Sequence, residues 1–377
     1  MRTLLVVSLL AALPLSAQQP RAARPLPAHN AEIEEPWSGP LQLVELRNGD
    51  VVVHDSREKR LAVVNFASQE QREVAREGSG PVEFRSVIGM WRGAGDSILV
   101  MDLIQQRVLI LDPTGRARRT QPMAGAGDPM ALMRAPMTRA VDAQGRWYGE
   151  GRDMQFDGGR LTFGDSVVVV RTDPRTQKPD SLIKFYNIVR APQMSPQVMR
   201  MMVPGYPKYD IWGVYPDGRV MLLRAEGYVP EIVLPNGQRR RAAALPYLRL
   251  PVTEADKKLM MDSVQKALNE GLRQAAGMAP ANAQMPRFEL VPPEPWQTEK
   301  PPFTGDRVLV DPRGRAWVPV IDRTPGQRYD LLNAEGAIVD AIKLPPRTQL
   351  LGFGAQAMYT ARWDEDDLMY IRRHPLP

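Results

Sequence analysis

The groups in this sequence that could do chemistry are few and far apart. Three histidines, His29, His54 and His374, stand near the start, in an apolar stretch and near the end. None is spaced from another as paired metal ligands are, so a metal-dependent lactonase or lyase would have to draw its ligands from distant segments or from carboxylates. The densest acidic run, Asp364-Glu365-Asp366-Asp367, could hold Ca²⁺ through its oxygens, and it also has the composition of a solvated turn. The sequence demands no cofactor, and Ca²⁺ is the metal it could take most readily.

Other chemistries have less to stand on. A serine nucleophile would want a Gly-x-Ser-x-Gly elbow, and Gly78-Ser79-Gly80 lacks the surrounding spacing. No Gly-Lys-Ser/Thr follows it to make a phosphate loop. With no Cys there is no disulfide framework, thiolate metal site, cysteine nucleophile or lipidated N-terminal cysteine. The Met clusters, Met130, Met133 and Met137 and then Met194, Met199, Met201 and Met202, could bind Cu(I), and thioethers equally fill irregular packing.

The elements that must position these groups are short strands. From Arg76 to Thr120 the chain reads as four β-type runs with turn residues between them, and Asp102, Arg107 and Asp112 are spaced five apart. Asp55, Arg60 and Asn65 repeat that spacing, and Asp322, Arg328 and Asn333 repeat it with one extra residue. A period of roughly 40 to 50 residues with several strands per unit is the mark of propeller blades. Turns closed by Gly recur along the chain, among them Asp112 to Gly115, Asp142 to Gly145, Pro235 to Gly237, Asp311 to Gly314 and Asn333 to Gly336.

One such sheet leaves a face and two edges bare, so the units must pack on one another and close a ring. Six fit: Leu41 to Glu73, Val87 to Thr120, Ala140 to Phe185, Ile211 to Ala243, Arg307 to Leu344 and Gln349 to Arg373. The expected fold is therefore all-β, a six-bladed β-propeller. The Pro- and Ala-rich segment Arg21 to Glu35 is expected to supply the missing outer strand of the last blade.

Two interruptions are expected. Tyr186 to Tyr209, rich in Pro and Met, reads as a loop extending from one rim. Residues 252–303 read as an insertion holding one amphipathic helix, Thr253 to Ala276, capped by Thr253 with Asp256 three residues on and ended by Gly277.

The stretch Gly78 to Phe84, with Gly78, Gly80, Pro81, Glu83 and Phe84 in a G-x-G-P-x-E-F pattern, followed by a strand, Gly95-Asp96-Ser97 and the turn Asp112 to Gly115, resembles secreted bacterial six-bladed β-propeller proteins, related in architecture to NHL and TolB-like propellers. Val82 stands where those proteins usually carry Gly. The resemblance implies a binding scaffold, with the motif residues structural.

In a propeller the innermost strands line a channel, which brings Arg85, Trp91, Trp212, Tyr215 and Trp317 forward as ligand-binding candidates. Aromatic rings beside Arg suit a carbohydrate, a peptide or an anion. Packing between blades would use the same rings.

Met1 to Ala17 reads as a cleavable secretory signal, with residues 18–377 as a single propeller domain in the periplasm or outside the cell. No other run approaches the about 20 apolar residues of a membrane span. The net charge of +6 comes from Arg scattered among acids, which argues against a nucleic-acid surface. The function expected is non-catalytic binding of a protein, peptide or glycan by a monomer. The alternative is a metal-dependent propeller enzyme of the lactonase or lyase type.

Overall fold

The computed structural model describes residues 20–157, 160–176, 178–187, 193–194, 198–278, 287–305 and 307–377. The secretory signal expected over residues 1–17 lies outside them.

Six antiparallel sheets follow one another along the chain. Blade one has strands Leu41–Glu45, Val51–Asp55, Arg60–Val64 and Gln71–Arg76. In blade two they are Val87–Arg92, Ile98–Asp102, Arg107–Leu111 and Ala117–Pro122. Blade three runs through Met137–Val141, Trp147–Asp157, Arg160–Thr172 and Pro179–Tyr186. Blade four comprises Ile211–Val214, Val220–Arg224, Val229–Val233 and Arg239–Arg241. Blade five is Leu309–Val310, Ala316–Val320, Arg328–Leu332 and Ile338–Lys343. Blade six takes Thr348–Phe353, Ala357–Trp363 and Met369–Pro375 from the end of the chain. Its fourth strand is Ala31–Glu32, antiparallel to Met369–Pro375.

Among the described residues the buried apolar side chains fall into six clusters, and each joins two consecutive blades. The cluster of Ile33, Trp37, Val51, Val64, Tyr359 and Ile371 joins blade six to blade one, so the ring is closed. Period-2 alternation explains this: each sheet turns one apolar face to each neighbour, and neither face meets water.

The N-terminal segment does more than complete blade six. Arg24–Pro25 also adds in parallel to the outer strand of blade five, where Arg24 pairs with Asp340. From there the segment crosses to blade six, with Pro27 O accepting from His374 Nδ1 at 2.8 Å, and then dives between blades six and one at Ile33 and Trp37.

Strand direction sorts the loops. Because the strands alternate, first-to-second and third-to-fourth turns all lie on one face of the ring, and the connections between blades lie on the other. The Gly-closed turns singled out above belong to the first kind, so that face is compact. The long connections between blades three and four and between four and five share the opposite face, here called the decorated face.

Two expectations are corrected there. The segment Tyr186 to Tyr209 is not only loop: Val198–Met202 is a strand, paired in parallel with Arg287–Val291 from the Pro-rich stretch and flanked by Gln193–Met194. Its backbone groups find their partners some ninety positions later in the chain (Val198 opposite Arg287), a pairing composition does not announce. In blade three, the middle hairpin runs well past the expected strands, to Asp157 and Arg160.

The long helix spans Glu254–Met278, passing through Gly277. Its start follows the spacing: Asp256 N donates to Thr253 Oγ1 at 3.2 Å and Thr253 N to Asp256 Oδ2 at 2.9 Å. Lys300 then clamps Asp256 at 2.6 Å. A six-residue helix, Pro129–Arg134, capped by Asp128, sits between blades two and three.

His54, 2% exposed between blades one and two, stacks edge-on against Phe84 at 5.4 Å. Burial disfavours its cation and lowers its pKa from 6.5 to about 4. A group depressed in this way contributes stability above its unfolded pKa of 6.5 that is lost as pH falls through its folded value near 4. The loss comes to about 3 kcal/mol. Urea unfolding at pH 7 and pH 4 should show the wild type losing more stability than His54→Gln by about that amount. Parallel losses in the two proteins would refute the assignment.

Candidate functional site

Inner strands begin on the decorated face. Where Leu41–Leu43, Ile88–Trp91, Met137–Arg139 and Gln349–Leu351 converge with Arg307, they enclose a cavity of ≈ 330 Å³ at the channel mouth. Leu41, Leu43, Ile88, Leu350 and Leu351 line it with apolar surface. Gln42, Thr138 and Gln349 supply hydrogen-bonding groups, and two arginines supply charge.

The two arginines are held differently. Arg139 pairs through Nε with Glu150 Oε1 at 3.3 Å, and Glu150 also accepts from Trp212 Nε1 at 3.0 Å, so this cation is already balanced by a carboxylate that is 8% exposed. Arg307 is exposed, and among the described residues no carboxylate pairs with it. Its backbone is fixed by a parallel bridge to Trp212 of blade four. A guanidinium held by its main chain and open at its head can accept a carboxylate, phosphate or sulfate.

Only one of the aromatic candidates reaches this cavity. Trp91 lines it and donates from Nε1 to the Arg139 carbonyl at 3.0 Å, tying the inner strands of blades two and three. Its ring lies over Gly89, where an added Cβ would come within 2.0 Å of the indole, so glycine is required beneath it.

The others lie elsewhere. Trp212, 2% exposed, packs between blades three and four. Tyr215, 1% exposed, packs between blades four and five with the Arg219 guanidinium 4.8 Å from its ring, and burial drives its phenol far above 10. Trp317 is wholly buried between blades five and six, its Nε1 donating to Asp311 Oδ2 at 3.0 Å. Arg85 stands exposed on the connection into blade two, where it donates to Ser79 Oγ at 3.0 and 3.2 Å.

The Gly78 to Phe84 motif forms a self-contained turn. Glu83 folds back so that its carboxylate accepts from Gly80 N at 2.7 Å and occupies the space a Gly78 side chain would need. Arg107 donates to the Gly80 and Glu83 carbonyls, and Phe84, 1% exposed, anchors the turn in the core of blades one and two. Pro81 and Val82 are exposed at its tip, and Val82 stays outside the left-handed region.

Among the described residues no group of three or more His, Asp or Glu is close enough to hold a metal. In the acidic run Asp364 Oδ1 accepts from Asp366 N and Leu368 N, and Asp367 pairs with Arg347 at 2.6 Å, so those carboxylates are engaged in the turn rather than converging on an ion. His374 donates to Pro27 O and bonds Thr360 Oγ1, while His29 packs edge-on against it. Met199 and Met201 share one face of Val198–Met202 and Met202 takes the other, which splits that cluster.

No protein-family model matches this chain, and no curated protein matches it. Solved structures do. A DUF4221 family member from Bacteroides vulgatus is 12% identical over 92% of this chain and 94% of its own, with a TM-score of 0.44. A gluconolactonase from Xanthomonas campestris is 10% identical over 94% of each chain, with a TM-score of 0.45. A catalytically inactive virginiamycin B lyase from Staphylococcus aureus, with quinupristin, is 9% identical over 94% of this chain and 99% of its own, with a TM-score of 0.44. Likenesses this distant carry no argument about activity, and the six blades rest on the sheets described above.

Proposed function

We propose that this chain is an exported, monomeric binding protein that takes a carboxylate-bearing peptide or glycan at the channel mouth on its decorated face. The observation that carries this reading is Arg307, exposed and with no carboxylate paired to it among the described residues, lining a cavity together with Gln42, Thr138, Gln349 and several leucines. Such a pocket grips a small anionic group by charge and lets the attached chain run out over the rim. The insertion sheet and the long blade-three hairpin stand on that face, so an extended ligand would meet protein on more than one side. Partner and localisation belong to the proposal, as does the absence of catalysis.

Isothermal titration with triaspartate and trigalacturonate tests it. One of the two should bind, and Arg307→Ala should weaken that binding at least tenfold, about 1.4 kcal/mol. The variant's melting midpoint should stay at the wild-type value, because the Arg307 side chain is exposed and makes no ion pair among the described residues. If neither probe binds the folded protein, or if Arg307→Ala binds as the wild type does, the reading fails.

A further inference from the structure

The compact face holds a second cavity that the channel reading does not use. Most blade interfaces there are latched by hydrogen bonds across the boundary. Arg72 donates to Thr114 O between blades one and two, Ala143 to Pro216 O between three and four, and Arg240 to Ala334 O between four and five. Arg313 reaches Pro377 O between five and six, and Glu45 takes Tyr359 and Ala355 between six and one. Between blades two and three, which Trp91 ties at the channel mouth, no such latch exists on the compact face among the described residues. A cleft of ≈ 430 Å³ lies there instead.

Its composition is specific. Trp147, half-buried, lines the cleft with the apolar Leu99 and Ile110, and its indole N–H has no partner among the described residues. Arg119 and Arg175 also line it, and both are exposed. Arg119 makes only a 3.5 Å contact with Gln121, and the Arg175 side chain forms no hydrogen bond or ion pair among the described residues. Arg146 in the wall is neutralised by Asp142 at 2.6 Å. Among the described residues the one carboxylate lining the cleft, Asp173, accepts from the Arg175 backbone.

We propose that this cleft binds a planar aromatic anion, a ring bearing a carboxylate or sulfonate. The ring would lie against Trp147 and the apolar Leu99 and Ile110, and the anionic group would face Arg119 and Arg175. An indole face gains from an aromatic partner, and two open guanidiniums, one from each blade, select against a neutral one. This site is separate from the channel mouth, which lies on the opposite face.

Calorimetric titration of the full chain with 1-naphthoate, and with 1-naphthalenemethanol as the uncharged control, tests it. Saturable binding of naphthoate is expected, with binding of the alcohol at least tenfold weaker. Arg119→Ala combined with Arg175→Ala should weaken naphthoate binding at least tenfold and leave Arg307-dependent binding at the channel mouth unchanged. Both substitutions are at exposed side chains, so the unfolding transition should persist and confirm that the variant is folded. The proposal is overturned if naphthoate does not bind, if the alcohol binds equally well, if the double variant binds as the wild type does, or if Arg307→Ala abolishes naphthoate binding.

Discussion

Deleting residues 20–37 is expected to abolish the cooperative unfolding transition of this protein, and Trp37→Ala alone to cost about 3–5 kcal/mol. The reason is the order in which the ring closes. Blade six takes three strands from the C-terminal end of the chain and its fourth from Ala31–Glu32, so the first and last segments must meet before blades one and six have both neighbours. Trp37 is wholly buried at that seam, its N–H and carbonyl both bonded to Met369 at 2.8 and 2.9 Å, with the Arg60 guanidinium 4.5 Å from its ring. Ile33, also wholly buried, packs in the same cluster. Without the segment, the apolar faces of blades six and one and the edge of Met369–Pro375 are open to water or to another chain. Urea unfolding followed by circular dichroism checks both statements. A deletion variant that melts cooperatively near the wild type would show that the ring closes through blade faces alone.

The seam was legible because closure is a topological demand: a six-blade count left blade six one strand short, and Arg21 to Glu35 was the extended segment available. What the sequence left open was which face of a strand an aromatic residue occupies. Trp212 sits on the inner strand the repeat predicts, whereas Trp317 sits on the second strand of blade five, Ala316–Val320; alternation alone does not say whether a ring points to the channel or to the next blade, and both pack against a neighbouring blade. Arg139 was hidden by a boundary: the expected strand began at Ala140, and the real one begins at Met137. Arg307 opened the expected blade five, so its position was readable, but whether a carboxylate pairs with it is decided by side-chain placement in three dimensions, which spacing does not carry. The parallel strand Val198–Met202 was missed because its partner, Arg287–Val291, lies beyond a whole blade and a helix. A parallel pair that distant leaves no short-range turn signal.

Replacing Asp311 by Ala is expected to cost about 3–5 kcal/mol, while the same change at Asp112, the corresponding residue of another turn, should cost about 1 kcal/mol. Both head an Asp-x-x-Gly turn and accept from backbone N–H groups two and four residues on, at 2.9 Å each in Asp311. The difference is what else each carboxylate holds. Asp311 is fully buried and also accepts from Arg315 Nε at 2.7 Å and from the buried Trp317 Nε1, so its loss strands an indole N–H and a largely buried guanidinium between blades five and six. Asp112 is partly exposed and reaches only Thr114 and the solvent-facing Arg118 beyond the backbone. Asp142 repeats the Asp311 arrangement with Arg146 and with Tyr148 in place of the indole, bonded to Asp142 Oδ2 at 2.8 Å. The spacing Asp, Gly three on, Arg four on and an aromatic residue six on therefore marks a turn that locks one blade to the next. Denaturant midpoints of the two variants decide the matter: equal losses at Asp311 and Asp112 would mean that the turn itself, and not the buried charge network, is what the aspartate stabilises.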